Sequence, residues 1–228
     1  MKIAIIVRSL TISGGVERQV AMLTREFAAR GHEVTIYTYA YDPEHCFPGL
    51  IDSSRVKIPP PLARQPLNRF YRMSGIGSLL QEITERVKAR SLAAIIDKDT
   101  DVLNAHEHGA VRVARYFKRR VPGTPAVLML SDLHLSRWSL FDDPLFRPKP
   151  RSILQRSFAR LKDGYENRYF IARHERIAVL NERTRGFIGK YLGRDATVVR
   201  SGVDVERFPY RKRPAIAGRR VNVLANAI

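Results

Sequence analysis

Three short clusters hold the residue types that handle ligands. Ser13-Gly14-Gly15 follows the apolar run 3–7 and precedes Val16, Val20, Leu23 and Phe27, spaced four, three and four apart. That spacing puts the four on one side of a helix, so the glycines lie where a strand hands over to a helix. Backbone N–H groups at such a turn can close on an anion, the arrangement that cradles phosphate. The alternative is a tight turn that holds nothing. His106-Glu107-His108-Gly109 ends a second apolar run, 101–105. A neutral histidine there can hydrogen-bond a hydroxyl near pH 7; otherwise it is a solvent-facing histidine at a helix start, and His108 is read as loop. Ser131-Asp132 closes a third run, where Asp132 offers its carboxylate either to a hydroxyl or to the next helix as a cap.

These clusters need a scaffold. Apolar runs at 3–7 and 126–130, and the mostly apolar 101–105, read as buried strands. Further strands are expected at 34–39, 56–58, 176–180 and 196–199. Gly31 and Pro122-Gly123 stop two of the helices, over about 16–30 and 110–120. One further helix carries Leu79, Leu80, Ile83 and Val87 on one side. A long one, about 152–173, has Leu154, Phe158, Leu161, Tyr165, Tyr169 and Ala172 as its expected core stripe. A shorter one covers 182–192. Alternating strands and helices give an α/β, Rossmann-like, mostly parallel sheet with helices on both faces. Right-handed crossovers put the strand C-terminal ends along one edge, where such folds bind ligands.

Composition narrows the partners. The single cysteine, Cys46, excludes an internal disulfide and a cysteine-based zinc cluster, and fits a cytoplasmic setting. His and acidic residues show no ligand spacing, so neither metal nor cofactor is expected. The apolar run 3–7 is shorter than a signal-peptide core and far short of the ~20 residues that cross a bilayer. The formal charge of +18 favours polyanionic partners, or is a solvated basic surface. No zinc-finger, RNP-like or basic-zipper pattern accompanies it, which argues against nucleic acid. A nicotinamide enzyme would need Gly-x-Gly-x-x-Gly and an acid ending the second strand; here Ser13-Gly14-Gly15-Val16-Glu17 and Tyr39-Ala40 stand there.

Ser13-Gly14-Gly15-Val16-Glu17-Arg18, Arg30-Gly31-His32-Glu33-Val34 and Ser201-Gly202-Val203-Asp204 with Arg207-Phe208 occur in order. Together they closely resemble the N-terminal half of family 4 glycosyltransferases, retaining enzymes of GT-B architecture that use a nucleotide-sugar as donor. The resemblance implies that Gly14 and Gly15 approach the donor diphosphate and that His106 contacts the transferred sugar. It further implies that Asp132, Gly202 and Asp204 line the acceptor side of the cleft. Where other members read His-Asp, this chain reads Ser131-Asp132, which implies a different acceptor pocket. The segment 62–77, with Arg64, Arg69, Phe70, Tyr71 and Arg72, occupies the variable loop that in lipid-acceptor members touches acceptor or membrane. An ordinary loop is the alternative.

Domains follow the same likeness: 1–208 as the acceptor-side domain, 209–220 as a basic hinge, and 221–228 as the first strand of a second domain. The paired-glutamate donor motif of the family, Glu-x7-Glu, does not occur in the 228 residues. The implied partners are a nucleotide-sugar donor and a glycan or glycolipid acceptor in cell-envelope or polysaccharide assembly, with peripheral contact at the inner membrane face. The competing reading is a non-catalytic domain that binds an acceptor or partner without turnover.

Overall fold

Strands that are apolar on both sides require helices above and below. The computed structural model describes residues 1–61, 76–131 and 153–202. Within them β1 (Lys2–Ile6), β2 (Glu33–Tyr37), β3 (Val56–Lys57), β4 (Val102–His106), β5 (Ala126–Leu130), β6 (Arg176–Val179) and β7 (Thr197–Val198) form one sheet. All neighbouring pairs are parallel, in the order β3-β2-β1-β4-β5-β6-β7. The connections carry α1 (Gly15–Ala29), α2 (Ile76–Ile95), α3 (Glu107–Lys118), α4 (Ile153–Tyr169) and α5 (Glu182–Leu192).

From β1 the chain moves outward to β2 and β3, then crosses back to place β4 on the other side of β1. Right-handed crossovers in opposite directions put α1 on one face and α2 and α3 on the other. Packing follows that rule. Ile3, Ile5 and Val7 meet Val20 and Ala21 of α1. Ala4 and Ile6 join Ala89, Leu92 and Ala93 of α2 and Val111, Ala114 and Phe117 of α3. The point where strand order reverses, between β1 and β4, is where folds of this kind open a ligand crevice.

Parts of two apolar stripes turn outward, although Tyr165 of the expected α4 stripe packs against the core. Ile83 and Val87 of α2 are 49% and 41% exposed, while Ala89, Leu92 and Ala93 form its inward side. On α4, Leu161 is 73% and Tyr169 37% exposed. The helix also ends at Tyr169, before a 3-10 turn at Ile171–Arg173, and the buried residues are the Phe170 and Ile171 that follow it. Spacing identifies a stripe without saying which side of it meets the sheet; α2 is apolar on a second side, through Ala89, Leu92 and Ala93, and α4 turns Glu166 inward. The side chains of Leu79, Leu80, Leu154 and Phe158 lie outside the described residues.

A charged cluster ties α4 to its neighbours instead. Arg112 of α3 pairs with Glu166 of α4 and, at 2.9 Å, with Glu82 of α2. The three side chains are each less than a fifth exposed. Burial pushes the Glu166 carboxyl up, against the pull of Arg112. At Glu82 burial acts in the same sense, but the hydrogen bond and charge of Arg112 prevail and hold it below the ordinary range.

Candidate functional site

Gly14 is the N-cap of α1 and Gly15 its first residue, and no side chain caps this helix start. Gly14 has φ −105°, so its backbone conformation does not require glycine. Space requires it only weakly: a Cβ on Gly14 would meet the carboxylate end of the flexible Glu17 side chain, which folds back over the helix start and can swing away. A Cβ on Gly15 would meet nothing within 4 Å. Glu17 stands where a negative charge complements the helix dipole. An anion approaching Gly14 therefore has to displace that carboxylate. Ser13 anchors the turn from outside, its hydroxyl donating to the His45 carbonyl at 2.9 Å and accepting from Phe47 N–H at 3.1 Å.

His106 is the last residue of β4 and the N-cap of α3. Ile6 pairs with Ala105 one residue earlier, so His106 stands beside the chain leaving β1, and register places it on the α1 side of the sheet. It is fully buried, and neither ring nitrogen has a partner within the protein. Burial pushes its pKa down to about 4, so the ring is neutral at pH 7. Two residues earlier on the same side of β4, the Asn104 side-chain oxygen is also buried and unpartnered. Buried polar atoms are nearly always satisfied, so these three leave hydrogen-bonding capacity open on this side of β4. The backbone adds strain directly after: Glu107 adopts φ +63°. For a non-glycine residue that conformation costs about 1–3 kcal/mol and concentrates at functional sites. On the other side of the same helix start, a Cβ on Gly109 would come within 3.0 Å of the Arg8 side chain, which lies flat against it.

Gln19 of α1 joins the separate parts of this edge. Its amide nitrogen donates to Ser201 Oγ at 2.6 Å, and its carbonyl oxygen accepts from Ser131 Oγ at 3.0 Å. One side chain thus fixes the end of β5 and the segment after β7 against α1. Next to Ser201, Gly202 is exposed, with no atom within 4 Å of an added Cβ.

The glycine turn, His106, Ser131 and Gly202 therefore share the C-terminal edge of the sheet. Sequence reading missed Asn104 and Gln19. A polar residue inside a strand and a glutamine inside an amphipathic helix leave no motif; only register and packing reveal them. Asp132, Asp204, Arg64, Arg69, Phe70, Tyr71 and Arg72 lie outside the described residues. Among the described residues no group of three His, Cys, Asp or Glu side chains could hold a metal ion, and no helix is long and apolar enough to cross a membrane.

The family model for Glycosyltransferase Family 4 matches residues 13–207, which span every part of this edge. No curated protein matches the chain. Among solved structures it is similar to an alpha-glucosyltransferase in complex with UDP and a 13-mer DNA containing a central A:G mismatch. That match has 17% identity over 80% of this chain and 37% of the other, with a TM-score of 0.37. It is also similar to a ugt transferase from Siraitia grosvenorii in complex with UDP, at 12% identity over 88% of this chain and 50% of the other, TM-score 0.44. The chain spans at most half the length of either.

Proposed function

The chain belongs to Glycosyltransferase Family 4, and on that premise we propose that it supplies the acceptor-side half of a retaining, nucleotide-sugar-dependent glycosyltransferase. Its acceptor is a glycolipid, cell-envelope or polysaccharide glycan, met in the cytoplasm or at the inner membrane face. Residues 1–208 are assigned to that half; the expected hinge, 209–220, and the expected first strand of the donor-side half, 221–228, lie outside the described residues. The observation that carries the reading is the buried, neutral, unpartnered His106 beside Asn104, at the reversal point of strand order and on the α1 side.

Transfer with retention breaks the bond from the anomeric carbon to the donor phosphate and forms one to the acceptor oxygen on the same face. The acceptor proton leaves with the departing diphosphate. Positive charge builds on the sugar meanwhile, and a neutral imidazole is suited to hydrogen-bond a sugar hydroxyl without opposing that charge. Gly14 and Gly15 leave their backbone accessible to the diphosphate once Glu17 moves aside. Asp132, Gly202 and Asp204 line the acceptor side. No metal or cofactor enters the scheme.

Fewer than two thirds of a two-domain transferase's residues are present in 1–228, and the paired-glutamate motif is not among them. A half-cleft cannot exclude water or align two substrates, so the 228-residue chain by itself turns over little or nothing. The reading is tested by two-dimensional NMR of the labelled chain with a panel of soluble oligosaccharides and glycolipid headgroups. Amide shifts confined to Gly14, Gly15, His106, Ser131 and Gly202 are expected from at least one panel member. Shifts confined to the opposite edge, around Asp99 and Asp101, would refute it.

A further inference from the structure

One polar side chain at the C-terminal edge of the sheet has no part in the transfer scheme, yet three distant pieces of the chain meet on it. Past β7 the backbone makes one more sheet bond, Val199 N–H donating to the Val179 carbonyl at 2.8 Å. Arg200, Ser201 and Gly202 are then exposed, and a Cβ on Gly202 would meet nothing within 4 Å. Among the described residues, what ties this stretch back to the domain is Gln19.

Gln19 sits half-buried on the second turn of α1. Its amide meets Ser201 Oγ at 2.6 Å and Ser131 Oγ at 3.0 Å, on residues 182 and 112 positions away. An amide has one carbonyl oxygen and one NH2 group, so a hydroxyl on each end holds it against rotation. The two serines are not bonded to each other and act on one another through Gln19. Without Ser131 one end of the amide is released, and its hold on Ser201 weakens. A hydrogen bond open to water adds little net stability, because water replaces it. Such a contact therefore sets local order and opens without unfolding the domain.

We propose that Gln19 is a positioning residue that fixes the direction in which the chain leaves β7 and makes that direction depend on Ser131. Its use in sugar transfer rests on the acceptor-side assignment of this edge. A ligand oxygen that takes the Ser131 hydroxyl loosens the Gln19 amide, and the release reaches Ser201 and Gly202, just before the expected hinge. Occupancy at the end of β5 is thereby felt where the chain leaves the sheet.

The coupling itself needs neither ligand nor turnover, and backbone 15N relaxation of the labelled 228-residue chain measures it. In the unaltered chain Ser201 and Gly202 are expected to be as ordered as strand residues, with S² of about 0.85. Gln19→Leu keeps the bulk and removes both polar ends, and it should lower S² at both residues to below about 0.6. Ser201→Ala, at an exposed position that cannot unfold the domain, should do the same. Ser131→Ala should act likewise although Ser131 does not touch Ser201, and combining it with Gln19→Leu should add nothing. Gln19→Glu, whose carboxylate accepts from both hydroxyls, should keep the order. Undiminished order at Ser201 in Gln19→Leu would make Gln19 a space-filling residue and overturn the proposal. So would order that survives Ser131→Ala, or a Ser201 already mobile in the unaltered chain. Each of these outcomes is independent of the oligosaccharide titration, so the coupling and the acceptor-side assignment can fail separately.

Discussion

The His106 imidazole, fully buried and without a partner on either nitrogen, destabilises the fold that holds it. An apolar residue of similar size would fit the same space at lower cost. The histidine pKa, moved by burial from 6.5 to about 4, makes the cost pH-dependent. In the unfolded chain the ring takes a proton as pH falls below about 6.5, whereas the folded chain resists until about 4. Its share of stability is therefore complete above 6.5 and lost between 6.5 and 4. Between pH 7.5 and 4.5 that loss is roughly 2 to 3 kcal/mol, and His174, likewise pushed down to about 4 by burial, adds its own. Urea unfolding of His106→Leu should show equal or greater stability at pH 7.5 and about half the histidine-linked loss at pH 4.5. A variant less stable by more than about 1 kcal/mol at pH 7.5 would make His106 a packing residue. His106 was visible in sequence because it ends an apolar run just before a helix. Its neighbour Asn104 was not, since one polar residue inside a strand reads as an imperfection until register shows which face it shares.

Helix starts along this edge are not alike. α5 is closed at both ends: Asn181 accepts from Thr184 N–H at 2.8 Å, and Gly193 adopts the left-handed conformation at its C-cap. α1 and α3, which start at the site, have no side-chain cap. Strand positions were legible because parallel strands buried on both faces are runs of apolar residues, as at Ile3, Ala4, Ile5 and Ile6. The orientation of α2 and α4 was not legible. Both carry an outward apolar set, Ile83 with Val87 and Leu161 with Tyr169, and a period of 3.6 weighs both sides alike. What fixes α4 is the Glu82–Arg112–Glu166 cluster, whose members stand 30 and 54 residues apart and form no motif. Arg112→Met would leave two carboxylates facing each other in a partly buried site. Chemical denaturation should register a loss of about 3 kcal/mol, most of it recovered when Glu82→Leu and Glu166→Leu are added. A loss below about 0.5 kcal/mol would mean that apolar contacts of Phe170 and Ile171 hold α4 without the ions.

The described residues form one parallel sheet whose C-terminal edge gathers the glycine turn, His106, Ser131 and Gly202. α1 covers the side on which His106 and Asn104 turn, and α2 and α3 cover the other. Catalysis of sugar transfer needs a second wall to hold the nucleotide, because one open edge cannot exclude water or strengthen its own electrostatics. Isothermal titration calorimetry of the folded 228-residue chain with UDP, GDP and their sugar conjugates addresses this division of labour directly. No saturable heat is expected for any nucleotide up to about millimolar concentration. Saturable micromolar binding that persists in Gly15→Val would show that these residues already hold a complete donor pocket elsewhere, and the acceptor-side assignment would fall.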